Sequence, residues 1–251
     1  MCTLVVLNRP ESDWPIIIGA NRDEQYGRAW EPPAPHWPER PEVVAPLDEL
    51  ADGTWFGVNR YGLVAAVANR AGTHGPLAGK RSRGELVLEA LEHADVDTAI
   101  KALADLEPAA YRGFTLLVAG PDGAYWVAHR EDSRGMAVDA VPAGLHMLTN
   151  GDLDDPADAR IALNRPRFEA AQAPDPEDGD FAGWEALLGD PQPRDERPET
   201  ALTLALDGFG TVCSHLAAVP RYPGYGAGPV FRFAPGPPDR TPFETVDIPT
   251  G

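Results

Sequence analysis

The chain has 251 residues, 43% of them apolar and 8% aromatic, enough to bury a substantial core as one domain spanning residues 1–251. Thirty-nine acidic residues against 21 basic ones give a formal net charge of −18, a field that repels a phosphate backbone and argues against nucleic acid or an anionic membrane surface as partner. Two cysteines, Cys2 and Cys213, cannot build a disulfide framework, and no run of about 18 apolar residues suggests a membrane span, so a soluble cytoplasmic protein is expected. With two lysines against nineteen arginines, a salt-adapted cytoplasm would explain both the acidity and the lysine scarcity, and loss of folding below molar salt would support it.

Residues 3–7 and 16–20 read as short strands around a loop at 8–14. The segment 31–46 carries Pro32, Pro33, Pro35, Pro38, Pro41 and Pro46 and is expected as an ordered surface loop. Residues 55–58 and 63–67 flank a four-residue turn ending at Gly62. Helix begins at Ser82, where Ser82 and Glu85 fit a capping box ahead of Val87, Ala90, Leu91 and Ala94, and Asp97 is expected to cap a second helix carrying Ile100, Leu103 and Ala104. Strands resume at 114–119 and 125–129 around a turn at 120–123, with another at 145–148. Asp155 and Pro156 mark a helix start that Pro166 interrupts, and Phe181, Trp184, Leu187 and Leu188 form a short helix stopped by Gly189. The acidic, proline-rich stretches 173–180 and 190–200 are solvated loops, and 211–219 and 230–233 add strands. This order implies antiparallel sheets with helices packed outside them.

Cys2 is the residue whose position carries chemistry. Removal of Met1, which a small second residue permits, would leave a thiol and a primary amine on one residue. An α-amino group titrating at about 7.7–8.0 can accept the thiol proton at neutral pH. The alternative is a small apolar residue opening a buried strand; lipidation is not expected, for want of a preceding apolar stretch or a glycine. Asn21, Asn69 and Asn150 each follow an apolar run and can converge on one rim, where neutral N–H donors suit an oxyanion beside a thiolate. Asn-Arg alone carries little information, since it occurs at Asn8, Asn21, Asn59, Asn69 and Asn164, and asparagine ends strands because it tolerates turns.

Together the motifs are more specific. Met1-Cys2 opening a strand, Ala20-Asn21-Arg22-Asp23-Glu24, Asp52-Gly53-Thr54-Trp55-Phe56-Gly57 and the run Gly62 to Asn69 resemble the NRDE family, whose best-known members are the transport and Golgi organisation protein 2 group. Ser82-Arg83-Gly84-Glu85-Leu86-Val87, Leu148-Thr149-Asn150 and Phe209-Gly210-Thr211 extend the resemblance over nearly the whole chain. That family in turn is similar to the N-terminal nucleophile hydrolases of the cholylglycine and penicillin V acylase group. The resemblance implies an α+β, four-layer αββα sandwich. It also implies roles for Cys2 as nucleophile, Asp23 orienting its amine, Asn69 and Asn150 positioning oxyanion or amine, and Arg22 orienting the thiolate or a substrate carboxylate. Two departures stand out: Val212 where relatives show arginine, leaving Arg22 to do that work or weakening hydrolysis, and Asp52 where a glycine is usual.

No G-x-S-x-G elbow, H-E-x-x-H, paired C-x-x-C or Walker loop occurs. Gly224, Gly226 and Gly228 precede Pro229 outside any strand–helix context, and Cys213 with His215 is no metal pattern, so neither cofactor nor metal is expected. The expected function is an amidohydrolase acting on a non-peptide carbon–nitrogen bond of a small-molecule substrate. The alternative is a non-catalytic haem or lipid trafficking factor holding an apolar ligand, which the resemblance also allows.

Overall fold

A computed structural model describes residues 2–132, 135–222 and 227–249; Met1, Gly224 and Gly226 lie outside the described residues. The chain opens with β1 (Thr3–Asn8) and β2 (Ile16–Gln25), continues through β3 (Trp30–Ala34), β4 (Val43–Asp48), β5 (Phe56–Asn59) and β6 (Val64–Asn69), and then forms α1 (Gly84–Leu91) and α2 (Val96–Ala104). Strands β7 (Phe114–Gly120), β8 (Gly123–His129), β9 (Met136–Ala140) and β10 (Gly144–Leu148) precede α3 (Ala159–Ala170) and α4 (Ala182–Leu188). Strands β11 (Ala205–Leu206), β12 (Phe209–Val219), β13 (Val230–Ala234) and β14 (Glu244–Thr245) follow.

Two antiparallel sheets result, one ordered β10-β1-β2-β12-β13-β14 with β11 on β12, the other running β3 to β9 in chain order. The two-residue period of a strand assigns the layers. Leu4, Val6, Ile16, Ile18 and Ala20 meet Val64, Ala66 and Leu117 between the sheets. Val5 and Ile17 point the other way, onto Ile161 and Phe168 of α3 and Trp184 and Leu188 of α4. Leu63 and Ala65 pack under Leu86, Leu91 and Leu103 of α1 and α2. The architecture is the expected four-layer αββα sandwich. Burial on both faces is why 16–18 is an unbroken isoleucine run rather than an alternating one.

Several local expectations are corrected. The proline-rich segment 31–46 is not a plain loop: β3 uses Pro32 and Pro33 at the open edge of its sheet, where a missing N–H costs no ladder bond, and β4 buries Val43, Val44 and Ala45. No capping box forms at Ser82, because the Glu85 carboxylate pairs with Arg81 while Ser82 Oγ accepts from Gly84 N–H at 3.2 Å. Asp95, not Asp97, caps α2, accepting from Thr98 N–H at 2.8 Å. The cap of α3 is Asp158 rather than Asp155, and Pro166 lies inside a continuous helix. Packing of Phe168 on Trp184 and of Ile161 beneath the sheet outweighs the lost helical bond.

Two motif glycines have a packing reason. Gly53 and Gly84 bring the turn before β5 against the start of α1, backbone to backbone: a Cβ on Gly84 would lie 2.8 Å from Thr54 N and 2.9 Å from Thr54 O. Asp52 takes a positive φ of 52°, the left-handed conformation that favours glycine and that aspartate tolerates.

Candidate active site

Polar residues of β2 lie inside the strand, not beyond its end as the sequence suggested. β12 pairs with β2 as far as Gln25 and so carries the ladder through the Asn21–Glu24 run. Alternation then divides that run between two layers. Arg22 shares parity with Ile16, Ile18 and Ala20 and faces the opposing sheet; Asn21 and Asp23 face the helices.

On the inter-sheet face, strand register builds a row. Arg22 is directly opposite Cys213 in β12. Extending the β1–β2 pairing (Thr3↔Asn21) by one residue sets Cys2 on the other side of Arg22, and extending the β1–β10 pairing (Leu4↔Leu148) by two sets Asn150 beside Cys2. The order across four strands is Asn150, Cys2, Arg22, Cys213. The Arg22 guanidinium lies 3.5 Å above the Trp55 ring, with Nη2 3.3 Å from Asp48 Oδ2 and 3.9 Å from Glu24. Its Nη1 is buried with no hydrogen-bond partner among the described residues. Burial pushes the Cys2 thiol up, and the Asp23 carboxylate adds to that while the Asp23 backbone N–H and Arg22 work against it. Burial likewise raises the Cys213 thiol and lowers the Arg22 guanidinium.

Behind Arg22, Trp55 Nε1 donates to His215 Nε2 at 2.9 Å, and the His215 ring stacks on Phe56 with centroids 4.6 Å apart. Desolvation lowers the His215 pKa to about 3, so the ring is neutral. Cys213 Sγ lies 3.7 Å from the same Nε2. The Cys213–His215 pair is therefore part of the wall that supports Trp55 and Arg22. Among the described residues no group of three or more His, Cys, Asp or Glu side chains could hold a metal ion.

On the helix-facing side, Asp23 is fully buried. Its Oδ1 accepts from Thr211 Oγ1 at 2.6 Å and its Oδ2 from Arg160 Nη1 at 2.7 Å. Thr211 and Cys213 would share a face in a regular strand. A bulge at Val212 turns Thr211 to Asp23 and Cys213 to Arg22. A second cation at the site thus comes from α3 and not from position 212. Sequence reasoning missed Arg160, one of nineteen arginines with no motif around it; the only signal was that a buried aspartate requires a partner. Asn21 does not join the rim. Its Nδ2 donates to Leu188 O and Leu202 O, both at 2.9 Å, and its Oδ1 accepts from Ser214 Oγ, a structural use of all its capacity on this face.

Asn150 and Asn69 are brought together through their neighbours. Ala71 N–H donates to Asn150 O at 3.0 Å, and Arg70 donates to Gly151 O and Thr115 Oγ1 while pairing with Asp152 at 2.7 Å. Asn69 itself ends β6 opposite Phe114, whose ring belongs to the cluster under α1 and α2. Register therefore places Asn150 at Cys2 more directly than Asn69, and Arg70 makes the crossing between sheets. Beside this junction opens a cleft of about 470 Å³ lined by Arg70, Asn150, Asp155, Arg160, Arg197 and Glu199 among others.

Solved structures share this architecture at low identity. A Caenorhabditis elegans ortholog of N-acylethanolamine-hydrolyzing acid amidase aligns with a TM-score of 0.54 and 16% identity over 90% of this chain and 95% of its own. A conjugated bile acid hydrolase from Clostridium perfringens, solved as an arginine-to-leucine variant, aligns with 0.52 and 14% identity over 98% and 92%. Its cysteine-to-alanine mutant gives 0.51 and 14% over 99% and 92%. These likenesses show that the chain shares the fold of those proteins. No curated protein matches the chain by sequence. The model of the Transport and Golgi organisation 2 family matches residues 1–186, about three quarters of the chain, so the protein belongs to that family.

Proposed function

We propose that the protein is an N-terminal cysteine amidohydrolase acting on a non-peptide amide of a small molecule. The observation that carries this reading is the row Asn150, Cys2, Arg22 backed by the buried Asp23 carboxylate, within a fold shared with an acid amidase ortholog and a conjugated bile acid hydrolase. With Met1 removed, the Cys2 Sγ attacks the amide carbonyl carbon and its proton passes to the α-amine held at Asp23. The negative charge on the carbonyl oxygen is met by a backbone N–H and the Asn150 carboxamide, with Asn69 as the second candidate donor. The amine delivers its proton to the leaving nitrogen as the C–N bond breaks, giving a thioester on Cys2. Water, deprotonated by the same amine, then releases a carboxylic acid and restores the thiol. The charged lining of the neighbouring cleft suits a polar substrate better than haem or a lipid.

The test is a panel of linear amides with an electrophilic thiol probe, on protein whose N-terminal mass is known. Cys2→Ala abolishes turnover and probe labelling. Asn150→Ala lowers kcat by about 10²–10³, the usual cost of one oxyanion donor, and exceeds the loss in Asn69→Ala. Retention of Met1 on the mature protein, or turnover that survives Cys2→Ala, refutes the reading. Saturable haem binding without any amidase activity would instead favour the carrier alternative.

A further inference from the structure

We propose that Arg160 is a positioning residue that orients Asp23 and whose own charge keeps the Cys2 amine unprotonated near neutral pH; this rests on the N-terminal nucleophile reading above. The guanidinium is buried, and its Nη1 bridges the segment that carries Cys2 to Asp23. Nη1 donates to Asp23 Oδ2 at 2.7 Å and to Thr3 Oγ1 at 2.9 Å, and Nε donates to Glu199 O at 2.7 Å. Thr3 follows Cys2 directly, so one planar fork from the first turn of α3 ties the start of β1 to the carboxylate on β2. Thr211 holds the other carboxylate oxygen, which leaves Asp23 a single orientation.

The charge matters as much as the geometry. A buried carboxylate facing an amine with no cation nearby would hold it as ammonium, which cannot accept the thiol proton. Arg160, 2.7 Å from that carboxylate, offsets its field, so the amine stays a free base while Asp23 still orients it. Among the described residues, Arg22 on β2, Cys213 on β12 and Arg83 ahead of α1 also act on Cys2, and Glu24 on β2 and Asp48 on β4 act on Arg22 beside it. All are retained in the variants below, so a change in titration reports the Arg160 cation.

The experiment follows protonation of the Cys2 α-amine against pH by NMR of protein labelled with 15N-cysteine and confirmed to lack Met1, with iodoacetamide labelling of Cys2 as the reactivity control; no substrate is needed. In Arg160→Gln the amine midpoint rises by about one pH unit, the size expected when a neighbouring like charge is lost, while Arg160→Lys, which keeps the cation, stays within about 0.3. If Arg160→Gln does not fold, Asp23→Asn is compared with the D23N/R160Q pair, in which the second exchange again removes the cation and again raises the midpoint. An unmoved or lowered midpoint in folded Arg160→Gln, or equal midpoints in the Asp23→Asn pair, overturns the proposal. A wild-type Cys2 that is unreactive or still preceded by Met1 refutes the parent reading instead, before any Arg160 variant is compared.

Discussion

His215 makes the protein acid-sensitive in a way that one substitution removes. An indole N–H can only donate, so the 2.9 Å bond from Trp55 Nε1 fixes His215 Nε2 as an acceptor and puts the ring proton on Nδ1. Protonating the ring means breaking that bond and charging a fully buried imidazole between Phe56, Phe231 and Phe233. Its pKa is accordingly lowered from 6.5 to about 3. For a base depressed by folding, the unfolded chain binds the proton first; stability from this group is complete above pH 7 and is lost as pH falls from 6.5 towards 3. At about 1.4 kcal/mol per pH unit, the loss is about 2 kcal/mol at pH 5 and about 4 kcal/mol at pH 3. In His215→Phe the stack is kept, but the Trp55 N–H is left without its acceptor, costing about 1–3 kcal/mol at pH 7.5. The assay is urea unfolding of both proteins at pH 7.5 and pH 5. Wild type loses about 2 kcal/mol more than the variant over that interval, a midpoint difference of about 1 M urea for a slope near 2 kcal/mol/M. Equal losses in the two proteins would refute the assignment of a neutral His215 that accepts at Nε2.

Two further exchanges test the packing. Gly84→Ala drives a Cβ to 2.8 Å from the Thr54 backbone and lowers stability by about 1–3 kcal/mol in thermal unfolding, since neither backbone can yield. Pro166→Ala restores the N–H that α3 lacks and raises stability by about 1–2 kcal/mol in the same measurement, less than the full interior-proline cost because the unfolded chain also gains freedom.

Sequence showed the architecture because patterns set by one strand or one turn need no partner to be seen. The strand at 16–20, the 120–123 turn and the Phe181–Leu188 helix all carry their own periodicity or punctuation. Features decided between distant segments were hidden. Pro32 and Pro33 disguise β3 until the sheet edge is known, and Arg160 gains its role only when α3 docks on Asp23, 137 positions away. Val212 likewise reads as a missing arginine, whereas in the fold it is the bulged residue that lets Thr211 and Cys213 serve opposite faces.

The consecutive polar run on β2 shows why the candidate site is built where it is. Four polar residues after five apolar ones resemble the end of a strand, because burying charge in a central strand is costly unless each group finds a partner. Here each buried one does: Asn21 takes Leu188 O, Leu202 O and Ser214, Arg22 takes Asp48 and the Trp55 face, and Asp23 takes Thr211 and Arg160. Their partners come from β4, the turn before β5, β12, α3 and the segment following α4, so the run ties both sheets and the outer helical layer to the strand beside Cys2. A motif that binds so many elements could be purely structural. Arg22 Nη1 is one of several buried polar atoms without a hydrogen-bond partner among the described residues, and it lies next to a thiol. On the amidohydrolase reading proposed above, a substrate oxygen at Cys2 is the partner expected for that open donor, and an Arg22→Lys exchange, which removes the second guanidinium nitrogen, would raise KM more than it lowers stability.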